Sequence, residues 1–410
     1  MLRIGIVGCG RILNAHLQGF LALRAAGVDT FRVTALAARN PDDALMFRGR
    51  GEGPTPRPPV MDPATGDPLA APHTYVSDFQ PDLLLEVYTD YAEMISAGPV
   101  DAILDLTTLA LHHQVAEVAL GHGKHLLTQK PLAVSVRAGR RMVETARAKG
   151  LTLGVFENVR QMTQVRAAAW AVSHGLIGTP QMAVIGSLGG VWSPDLVVAD
   201  TPWRHQKLLA GGGGSIDIGV HQFDWLRAVM GEVRAVSGVA RTFEADRRRD
   251  GQTVVTADVD DTYLATAFFD GDAIGQLMWS WAGRGMPIEI PDTPAFLGSE
   301  GGIHGTWLVR GGERGDLIAE FAEGMSREER ERFFPLGLQE PYAILQYDWL
   351  AAIERGEDPE TSGAEGLRDL ACAFGVLESA TLGRVVTLDE VLSGAVDAYQ
   401  REIDQHYGLI

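Results

Sequence analysis

An aspartate and a histidine that follow a run of four glycines have the chemistry of a proton-transfer site. The glycines are residues 211–214, and the pair is Asp217 and His221. Side chains four residues apart lie on the same face of a helix, and a carboxylate beside an imidazole can move a proton near neutral pH. The spacing therefore indicates an acid–base pair. A flexible glycine loop followed by a helix with a surface ion pair is the alternative.

A lysine in a second segment supplies a cation that would complement this pair. Residues 125–128 predict a strand, and Gln129, Lys130 and Pro131 follow at its carboxyl end, the edge where ligands bind in open parallel sheets. The chain has four lysines against thirty-one arginines, so a lysine held at a strand end is not a routine solubilising charge. An ordinary surface loop is the alternative interpretation.

These side chains need elements that position them, and the N-terminal segment predicts a dinucleotide-binding turn. A short apolar strand ends at Gly8, and Gly10, Arg11 and Ile12 lead into a helix predicted to run to about residue 24. Strand, glycine turn and helix in this order direct helix amides at a pyrophosphate. The full fingerprint has a third glycine where this chain has Leu13, so two of the three glycines are present.

The end of the second predicted strand, residues 31–38, bears on the choice of cofactor. NAD sites usually carry an acid there that accepts the ribose hydroxyls, whereas this chain has Ala38 followed by Arg39. An arginine without an acid suits the additional phosphate of NADP. We therefore expect NADP to be favoured over NAD. The alternative is that Arg39 is a solvated loop residue and that the acid comes from elsewhere.

Three motifs in this order resemble the Gfo/Idh/MocA family of NAD(P)-dependent oxidoreductases: Gly-Cys-Gly-Arg-Ile, Lys-Pro, and the glycine run leading into Asp-x-x-x-His. The resemblance spans most of the chain, including a late helix around residues 362–369. It implies that Lys130, Asp217 and His221 act around the substrate. The family usually has Glu where this chain has Gln129, which removes a possible partner of Lys130 or of the nicotinamide ribose.

Further polar residues are candidates for binding cofactor or substrate. Residues 102–107 predict a strand that ends at Thr107, and His112 lies at the start of the next helix. The expected cofactor-binding residues are Gly8, Gly10, Arg11, Ile12, Ala38, Arg39, Thr107, His112, Gln129 and Lys130. The expected substrate-binding residues are Lys130, Arg160, Trp203, Arg204, Asp217 and His221. Arg160 could equally form a structural salt bridge, and Trp203 could simply pack under the second domain.

The length of 410 residues, of which 46% are hydrophobic, predicts two domains. We expect the α/β class, with an N-terminal Rossmann dinucleotide-binding domain over residues 1–157. A C-terminal α+β domain for substrate binding and oligomerisation, with a large, mostly antiparallel open sheet, would follow over residues 158–410. Prolines and glycines near residues 49–72 predict an insertion, either a lid over the adenine end, a partner-contacting loop or, more simply, an inert ordered loop.

Predicted strands of the second domain carry apolar residues on both faces. In residues 261–269, for example, Leu264 and Phe268 alternate with Tyr263 and Phe269. Such a strand needs cover on both sides, which helices can provide on one face and a second subunit on the other. We therefore expect a homodimer or homotetramer, and the family resemblance implies the same.

Composition excludes several classes of partner. A net charge of −18 argues against binding to nucleic acid or an anionic membrane surface. No stretch approaches the roughly 20 apolar residues of a membrane-spanning helix. The two cysteines, Cys9 and Cys372, are far apart in sequence, which favours a reducing, cytoplasmic setting. No close-spaced Cys/His set is present, so we expect no metal site.

The expected reaction is hydride transfer between a nicotinamide cofactor and a secondary hydroxyl or keto group of a neutral sugar, glycoside or cyclitol. His221 would take the hydroxyl proton as the hydride leaves, and Lys130 would stabilise the alkoxide. Asp217 would hold the substrate or bias the charge state of His221. A catalytically silent NAD(P)-sensing binding protein, or a reductase of a non-sugar carbonyl, is the alternative.

Overall fold

The computed structural model describes residues 1–62, 64, 66–189, 200–283, 288–290 and 293–410. Contacts within the chain group it into two compact units. The first unit comprises Met1–Leu132, Arg141–Gln161 and Arg330–Glu365, and the second comprises Ala133–Arg140, Met162–Glu329 and Gly366–Ile410. This grouping differs from a single cut after residue 157, and the domain boundary drawn from the sequence stays a prediction.

The described part of the first unit is built on a six-stranded parallel sheet with the strand order β3-β2-β1-β4-β5-β6. The order reverses between β1 and β4, and in this architecture the carboxyl ends of the strands at that point border the dinucleotide crevice. The predicted Rossmann fold is therefore confirmed. The strands are β1 (Leu2–Val7), β2 (Phe31–Ala37), β3 (Glu86–Tyr88), β4 (Ala102–Asp105), β5 (His125–Gln129) and β6 (Leu153–Phe156).

Helices connect these strands, and α1 and α4 lie close to the two helix positions that the sequence predicts. The helix after the glycine turn begins at Leu13 rather than Arg11. The second helix is capped by the Asn40 side chain, which accepts a hydrogen bond from the Asp42 amide at 3.2 Å. The helices are α1 (Leu13–Ala25), α2 (Pro41–Arg48), α3 (Tyr91–Ala97), α4 (Leu109–Gly121) and α5 (Val136–Lys149).

A helix from late in the chain, α12 (Pro341–Arg355), packs against α1, which explains why residues 330–365 group with the first unit. Gln346 Nε2 donates to the His16 carbonyl at 3.0 Å. Gly19 lies so close to α12 that a Cβ there would come within 2.5 Å of Gln346 Oε1. The pattern of residues 341–355 predicts a helix but not its partner, because the pairing joins segments more than 300 residues apart.

The predicted insertion lies between β2 and β3. Apart from residues 63 and 65, which lie outside the described part, it is irregular with a few short 3₁₀ turns, one of them at Pro68–Ala70. Its end is fixed to α1, because Gln18 Nε2 donates to Thr74 Oγ1 at 2.5 Å and the Thr74 amide donates to Asn14 Oδ1 at 3.4 Å. The segment therefore packs against the unit that carries it.

The second unit is built on a ten-stranded sheet, counted over the described residues, in which β7 and β12 pair in parallel and the other pairs are antiparallel. The prediction of a large, mostly antiparallel sheet is confirmed. The strands are β7 (Pro180–Leu188), β8 (Val233–Arg241), β11 (Thr262–Phe269), β12 (Ile274–Ser280), β13 (Ile288–Glu289), β14 (Ala295–Gly298), β15 (Gly301–His304), β16 (Trp307–Arg310), β17 (Glu313–Asp316) and β18 (Val386–Thr387); β9 (Asp246–Arg249) and β10 (Gln252–Thr256) form a separate pair.

Helices cover one face of this sheet. A Cβ at Gly238 on β8 would come within 2.7 Å of Val376 on α13, and Tyr263 on β11 donates to Gln222 on α9 at 2.7 Å. The remaining helices are α6 (Thr163–Ser173), α7 (Lys207–Ala210), α8 (Gly214–Asp217), α9 (Gly219–Met230), α10 (Leu317–Gly324), α11 (Arg327–Phe333), α13 (Gly363–Leu382), α14 (Leu388–Ser393) and α15 (Arg401–His406).

The opposite face of the sheet carries exposed apolar side chains. Five large ones on adjacent strands are between 37% and 49% exposed: Met182, Val239, Leu264, Ile274 and Leu297. Val239 lies opposite Leu264, and Met182 lies opposite both Ile274 and Leu297. An exposed apolar surface of this kind is typical of an interaction site. We call these five residues the open sheet face. In the described part of the chain, no helix is both long and apolar enough to cross a membrane.

Candidate active site

The glycine turn after β1 has the geometry that its sequence predicts. Gly8 has a φ of +98°, and a Cβ there would lie 2.7 Å from the Leu106 carbonyl, so only glycine fits. Around Gly10, no described atom lies within 4 Å of where a Cβ would be. Arg11 is exposed and Ile12 half-buried at the start of the helix. Leu13, which replaces the third glycine, is fully buried and takes its side chain into the core.

At the end of β2, Ala38 is half-buried and Arg39 is exposed. The Ala38 amide donates to the Tyr88 carbonyl at 3.0 Å, which holds this residue beside the neighbouring strand β3. An acid lies nearby, although not at residue 38. It is Asp43, on the first turn of α2, which pairs with Arg57 of the insertion.

A buried carboxylate joins the ends of β4 and β5. Asp105 accepts hydrogen bonds from the Thr107 amide at 3.0 Å, from Thr107 Oγ1 at 2.7 Å and from Thr128 Oγ1 at 2.8 Å. Its own side chain is fully buried. The sequence analysis did not identify Asp105, although an acid that ends an apolar strand is a readable signal. The two bonds to Asp105 hold Thr107 in place.

His112 ties the same loops together from α4. Its ring is buried, with Nδ1 2.9 Å from the Pro131 carbonyl and Nε2 3.3 Å from the Thr107 carbonyl. Because a carbonyl oxygen only accepts hydrogen bonds, the closer contact is a bond donated by Nδ1. His112 thus supports the loop that carries Lys130 and Pro131. Its role as a direct cofactor contact stays a prediction.

Lys130 is half-buried at the end of β5, and its neighbour Gln129 fixes its backbone. The Lys130 amide donates to Gln129 Oε1 at 2.9 Å, and Gln129 Nε2 lies 3.1 Å from His16 Nε2. His16 is fully buried beside the rings of Phe156 and Tyr342, and burial lowers its pKa to about 3.

This contact gives a physical reason for the departure from Glu at position 129. A neutral imidazole accepts a hydrogen bond from an amide, whereas a carboxylate at 129 would face a ring that burial keeps uncharged. The pairing could not be read from the sequence, because the two residues lie 113 positions apart.

Arg160 belongs to the first unit and forms an ion pair with Glu365, with an N–O distance of 3.4 Å. Both side chains are largely buried. This is the salt bridge that the sequence analysis left open as an alternative. Contact of Arg160 with a substrate stays a prediction.

In the second unit, the glycine run is a closely packed turn, and the flexible-loop alternative is wrong. Residues 211–216 are all buried, and a Cβ at Gly213 would lie 1.6 Å from the Asp260 carbonyl oxygen. The Asp260 carboxylate accepts from the Gly213 amide at 2.9 Å, and from the Ser215 amide and hydroxyl at 2.9 and 2.8 Å. Burial raises the pKa of Asp260, and these hydrogen bonds oppose the rise.

Asp217 and His221 do not share one continuous helix. Asp217 ends α8 and His221 lies on the first turn of α9, with Ile218 between the two helices at φ −105°. Both side chains are half-buried. The sequence expectation of a single helix face is therefore corrected: the two residues follow one compact turn, but the helix is interrupted between them.

Asp217 forms a cluster with two of the predicted substrate-binding residues. Arg204 Nε donates to Asp217 Oδ2 at 3.3 Å, and the Arg204 guanidinium lies 4.4 Å from the centre of the Trp203 ring. The cluster presents a carboxylate, a cation and an aromatic ring on partly exposed side chains. Trp203 is therefore not simply packed away beneath the domain. We call Trp203, Arg204 and Asp217 the Trp–Arg–Asp cluster.

Among the described residues, no group of three or more His, Cys, Asp or Glu side chains is placed to hold a metal ion. The expectation that the reaction needs no metal stays a prediction.

The fit around Asp260 predicts a large cost for the smallest enlargement of the glycine run. Gly213→Ala should lower the free energy of unfolding by about 3 kcal/mol or more, because the new methyl group collides with backbone that cannot rotate away. Gly219→Ala is the matched control, since a Cβ there meets other atoms only at 3.7 Å or beyond. Urea unfolding of the two variants measures the difference. Equal stabilities would contradict the tight packing described here.

The His16–Gln129 contact predicts a specific pH dependence. An unfolded histidine protonates near pH 6.5, and folded His16 does so only near 3. Folding stability therefore falls as the pH drops below about 6.5, by about 2 kcal/mol between pH 7 and pH 5. Gln129→Glu should raise the pKa of His16, because a carboxylate stabilises the imidazolium, and should reduce this loss.

NMR titration of the His16 ring and urea unfolding at pH 7 and pH 5 measure both effects. The control is Gln114→Glu, which adds the same charge on helix α4 instead of at the end of strand β5. An unchanged pKa of His16 in Gln129→Glu would disprove the proposed contact.

Comparison with known proteins agrees with this architecture. Residues 70–157 match the family described as "Oxidoreductase family, NAD-binding Rossmann fold", and residues 165–304 match the "GFO/IDH/MocA C-terminal domain". The 1,5-anhydro-D-fructose reductase of Ensifer adhaerens is 28% identical over 305 residues, which cover 73% of this chain and 84% of that protein. The D-apiose dehydrogenase of Rhizobium rhizogenes is 27% identical over 311 residues, covering 74% and 84% respectively.

A solved structure has the same fold. It is the levoglucosan dehydrogenase in complex with NADH and levoglucosan, with a TM-score of 0.70 and 22% sequence identity over 94% of this chain and 99% of that one. The two family matches together cover more than half of the chain, on both the nucleotide-binding and the C-terminal parts. The chain is therefore an oxidoreductase of the Gfo/Idh/MocA family.

Proposed function

We propose that this protein transfers a hydride between a nicotinamide cofactor and a secondary hydroxyl or keto group of a neutral sugar, glycoside or cyclitol. The observation that carries the proposal is the Trp–Arg–Asp cluster. An aromatic ring can cover the C–H face of a sugar, and a carboxylate and a guanidinium can bond its hydroxyls. The named relatives, a 1,5-anhydro-D-fructose reductase and a D-apiose dehydrogenase, support this class of substrate.

The first unit suits a dinucleotide. Gly8 makes the tight turn after β1, the space beside Gly10 is open, and the backbone of Arg11 and Ile12 leads into α1, so helix amides are available for a pyrophosphate. We propose Ala38, Arg39, Thr107, His112, Gln129 and Lys130 as the other residues around the cofactor. When bound, the nicotinamide supplies the position that accepts or returns a hydride.

The remaining chemistry belongs to three side chains. His221 accepts the hydroxyl proton during oxidation and returns it during reduction. Lys130, as a cation, stabilises the oxygen as negative charge develops on it. Asp217 is already paired with Arg204, so it orients that guanidinium and accepts bonds from substrate hydroxyls. We also propose Arg160, which is ion-paired with Glu365, as a substrate-binding residue.

We also propose that NADP is favoured over NAD. Arg39 is exposed directly after β2, Ala38 leaves that position without an acid, and the nearby Asp43 is paired with Arg57, so the exposed guanidinium suits a 2′-phosphate. Both cysteines are free thiols, on which we base the proposal of a cytoplasmic location.

The open sheet face supports a homo-oligomer, most simply a dimer. Five large apolar side chains on adjacent strands, each at least a third exposed, form a surface that a second copy of the same sheet can cover. A tetramer would need a second interface in addition.

Introducing charge on this face should separate the subunits. The double variant Leu264→Glu, Ile274→Glu should be a monomer by sedimentation, because two carboxylates cannot be buried unpaired in an apolar interface. Leu84→Glu, at a leucine that is 75% exposed in the first unit, is the control and should leave the oligomer intact. A double variant that sediments like the unmodified protein would rule out this face as the interface.

The substrate class is tested by activity. The purified protein, supplied with NADP or NAD, should oxidise neutral sugars, glycosides or cyclitols in preference to sugar phosphates and simple aliphatic alcohols. Lys130→Met and His221→Ala should each lower turnover on the order of 100-fold, and His221→Ala should leave cofactor affinity nearly unchanged. Steady-state rates and fluorescence titration of the cofactor measure the two quantities.

Preference for phosphorylated sugars or aliphatic alcohols would refute the proposed substrate class. Cofactor binding without turnover on any of these compounds would instead favour an NAD(P)-sensing protein. Near-normal turnover in either variant would remove that residue from the mechanism.

A further inference from the structure

One arginine of the insertion reaches the turn that carries the cofactor phosphates. Arg57 Nη2 lies 3.4 Å from the Cys9 carbonyl oxygen and 2.5 Å from Asp43 Oδ1. Cys9 lies between the two turn glycines, and Asp43 is on the first turn of α2, shortly after Arg39. The guanidinium therefore bridges the end of β1 and the start of α2.

This position is the ribose end of a Rossmann site. Strands β1 and β2 are adjacent and parallel, and the Gly8 amide donates to the Ala37 carbonyl at 2.9 Å, so their carboxyl ends lie side by side. In this architecture the group that distinguishes NAD from NADP, the 2′ position of the adenosine ribose, is bound at the end of the second strand. Arg57 supplies a positive charge at that place from outside the nucleotide-binding motif itself.

The insertion and the glycine turn also share a small pocket. Gly10, Arg11 and Asn14 line one side, and residues 57–60 of the insertion line the other. Two guanidinium groups, those of Arg11 and Arg57, therefore border the same recess. Both arginines belong to the first unit.

The segment that carries Arg57 is attached on both sides. Beyond it, His73 stacks on Phe47 with ring centres 4.9 Å apart, and its Nε2 lies 3.0 Å from the Met46 carbonyl. Before it, Arg50 pairs with Asp78 at 2.9 Å. These contacts join the insertion to α2 and to the segment before β3, so Arg57 is presented from a packed segment of the unit.

The chemistry of Arg57 leaves capacity for an anion. Among the described residues, its hydrogen bonds to Cys9 and Asp43 both use Nη2, and the Arg57 side chain is 36% exposed. A guanidinium carries five N–H donors in a planar fork that matches the oxygens of a phosphate. Asp43 orients the guanidinium but accepts a hydrogen bond only from Nη2.

We propose that Arg57 binds the 2′-phosphate of NADP together with Arg39, which makes the insertion an element of cofactor specificity. This inference rests on the NADP preference proposed above. The insertion would then contribute to binding at the adenosine end of the cofactor, through the side chain of Arg57. The prolines and glycines of the segment indicate an insertion but not this role.

The test compares dissociation constants of NADP and NAD for the full-length protein by fluorescence titration. Arg57→Met should weaken NADP binding by roughly tenfold to a hundredfold, the range expected for losing a charged hydrogen bond, and should change NAD binding less than about twofold. Arg57→Lys, which keeps the charge, should recover part of the loss. Arg3→Met, near the amino end of β1 and outside the insertion, is the matched control, at a side chain that is 49% exposed, and should alter neither constant.

The outcomes separate this inference from the proposed cofactor preference. If the unmodified protein binds NAD as tightly as NADP, the preference itself is wrong and the role of Arg57 falls with it. If NADP is preferred but Arg57→Met weakens both cofactors equally, Arg57 only supports the fold of the turn and the inference is overturned. Ala38→Asp should reverse the preference by repelling the phosphate, and it serves as the positive control for a specificity change.

Discussion

The buried carboxylate of Asp260 determines the geometry of the turn that leads into Asp217 and His221 in the second unit. A buried carboxylate is costly unless donors surround it, and here the amides of the glycine run and Ser215 provide them. The turn can approach Asp260 this closely because residue 213 lacks a side chain. The same turn sets the start of α8 and, through Ile218, of α9. The positions of Asp217 and His221 therefore follow from one buried anion and the glycines that surround it.

The first unit uses the same physical device at the edge of its sheet. Asp105 is buried and accepts three hydrogen bonds from Thr107 and Thr128, at the ends of two neighbouring strands. His112 then links the Thr107 and Pro131 carbonyls. The loops that carry the proposed cofactor and substrate contacts are thereby joined by short polar bonds rather than by apolar packing. This is consistent with a site that must hold its groups in fixed positions.

The sequence was sufficient for the elements but not for the contacts that tie them together. Apolar runs located strands such as β2 and β11 to within one residue, and the glycine turn located the start of the nucleotide-binding fold, because these signals are local. Asp260 and Gly213 lie 47 positions apart, and His16 and Gln129 lie 113 apart. Nothing in the local pattern indicates such pairs. The break at Ile218 was also missed, since Asp and His four apart look the same in one helix or in two.

The two departures from the family pattern have local explanations with different consequences for the chemistry. Leu13 fills core space beneath the turn and leaves the glycines that shape it in place. Gln129 replaces a residue that would be negatively charged, and it does so beside a histidine that burial keeps neutral. The uncharged pair holds the Lys130 backbone without adding an anion next to its ammonium group. A cation that must stabilise a developing alkoxide is more effective when its adjacent residue does not compensate its charge. The substitution at 129 therefore keeps the bond to the Lys130 amide and places no carboxylate beside the ammonium group that is proposed to stabilise the alkoxide.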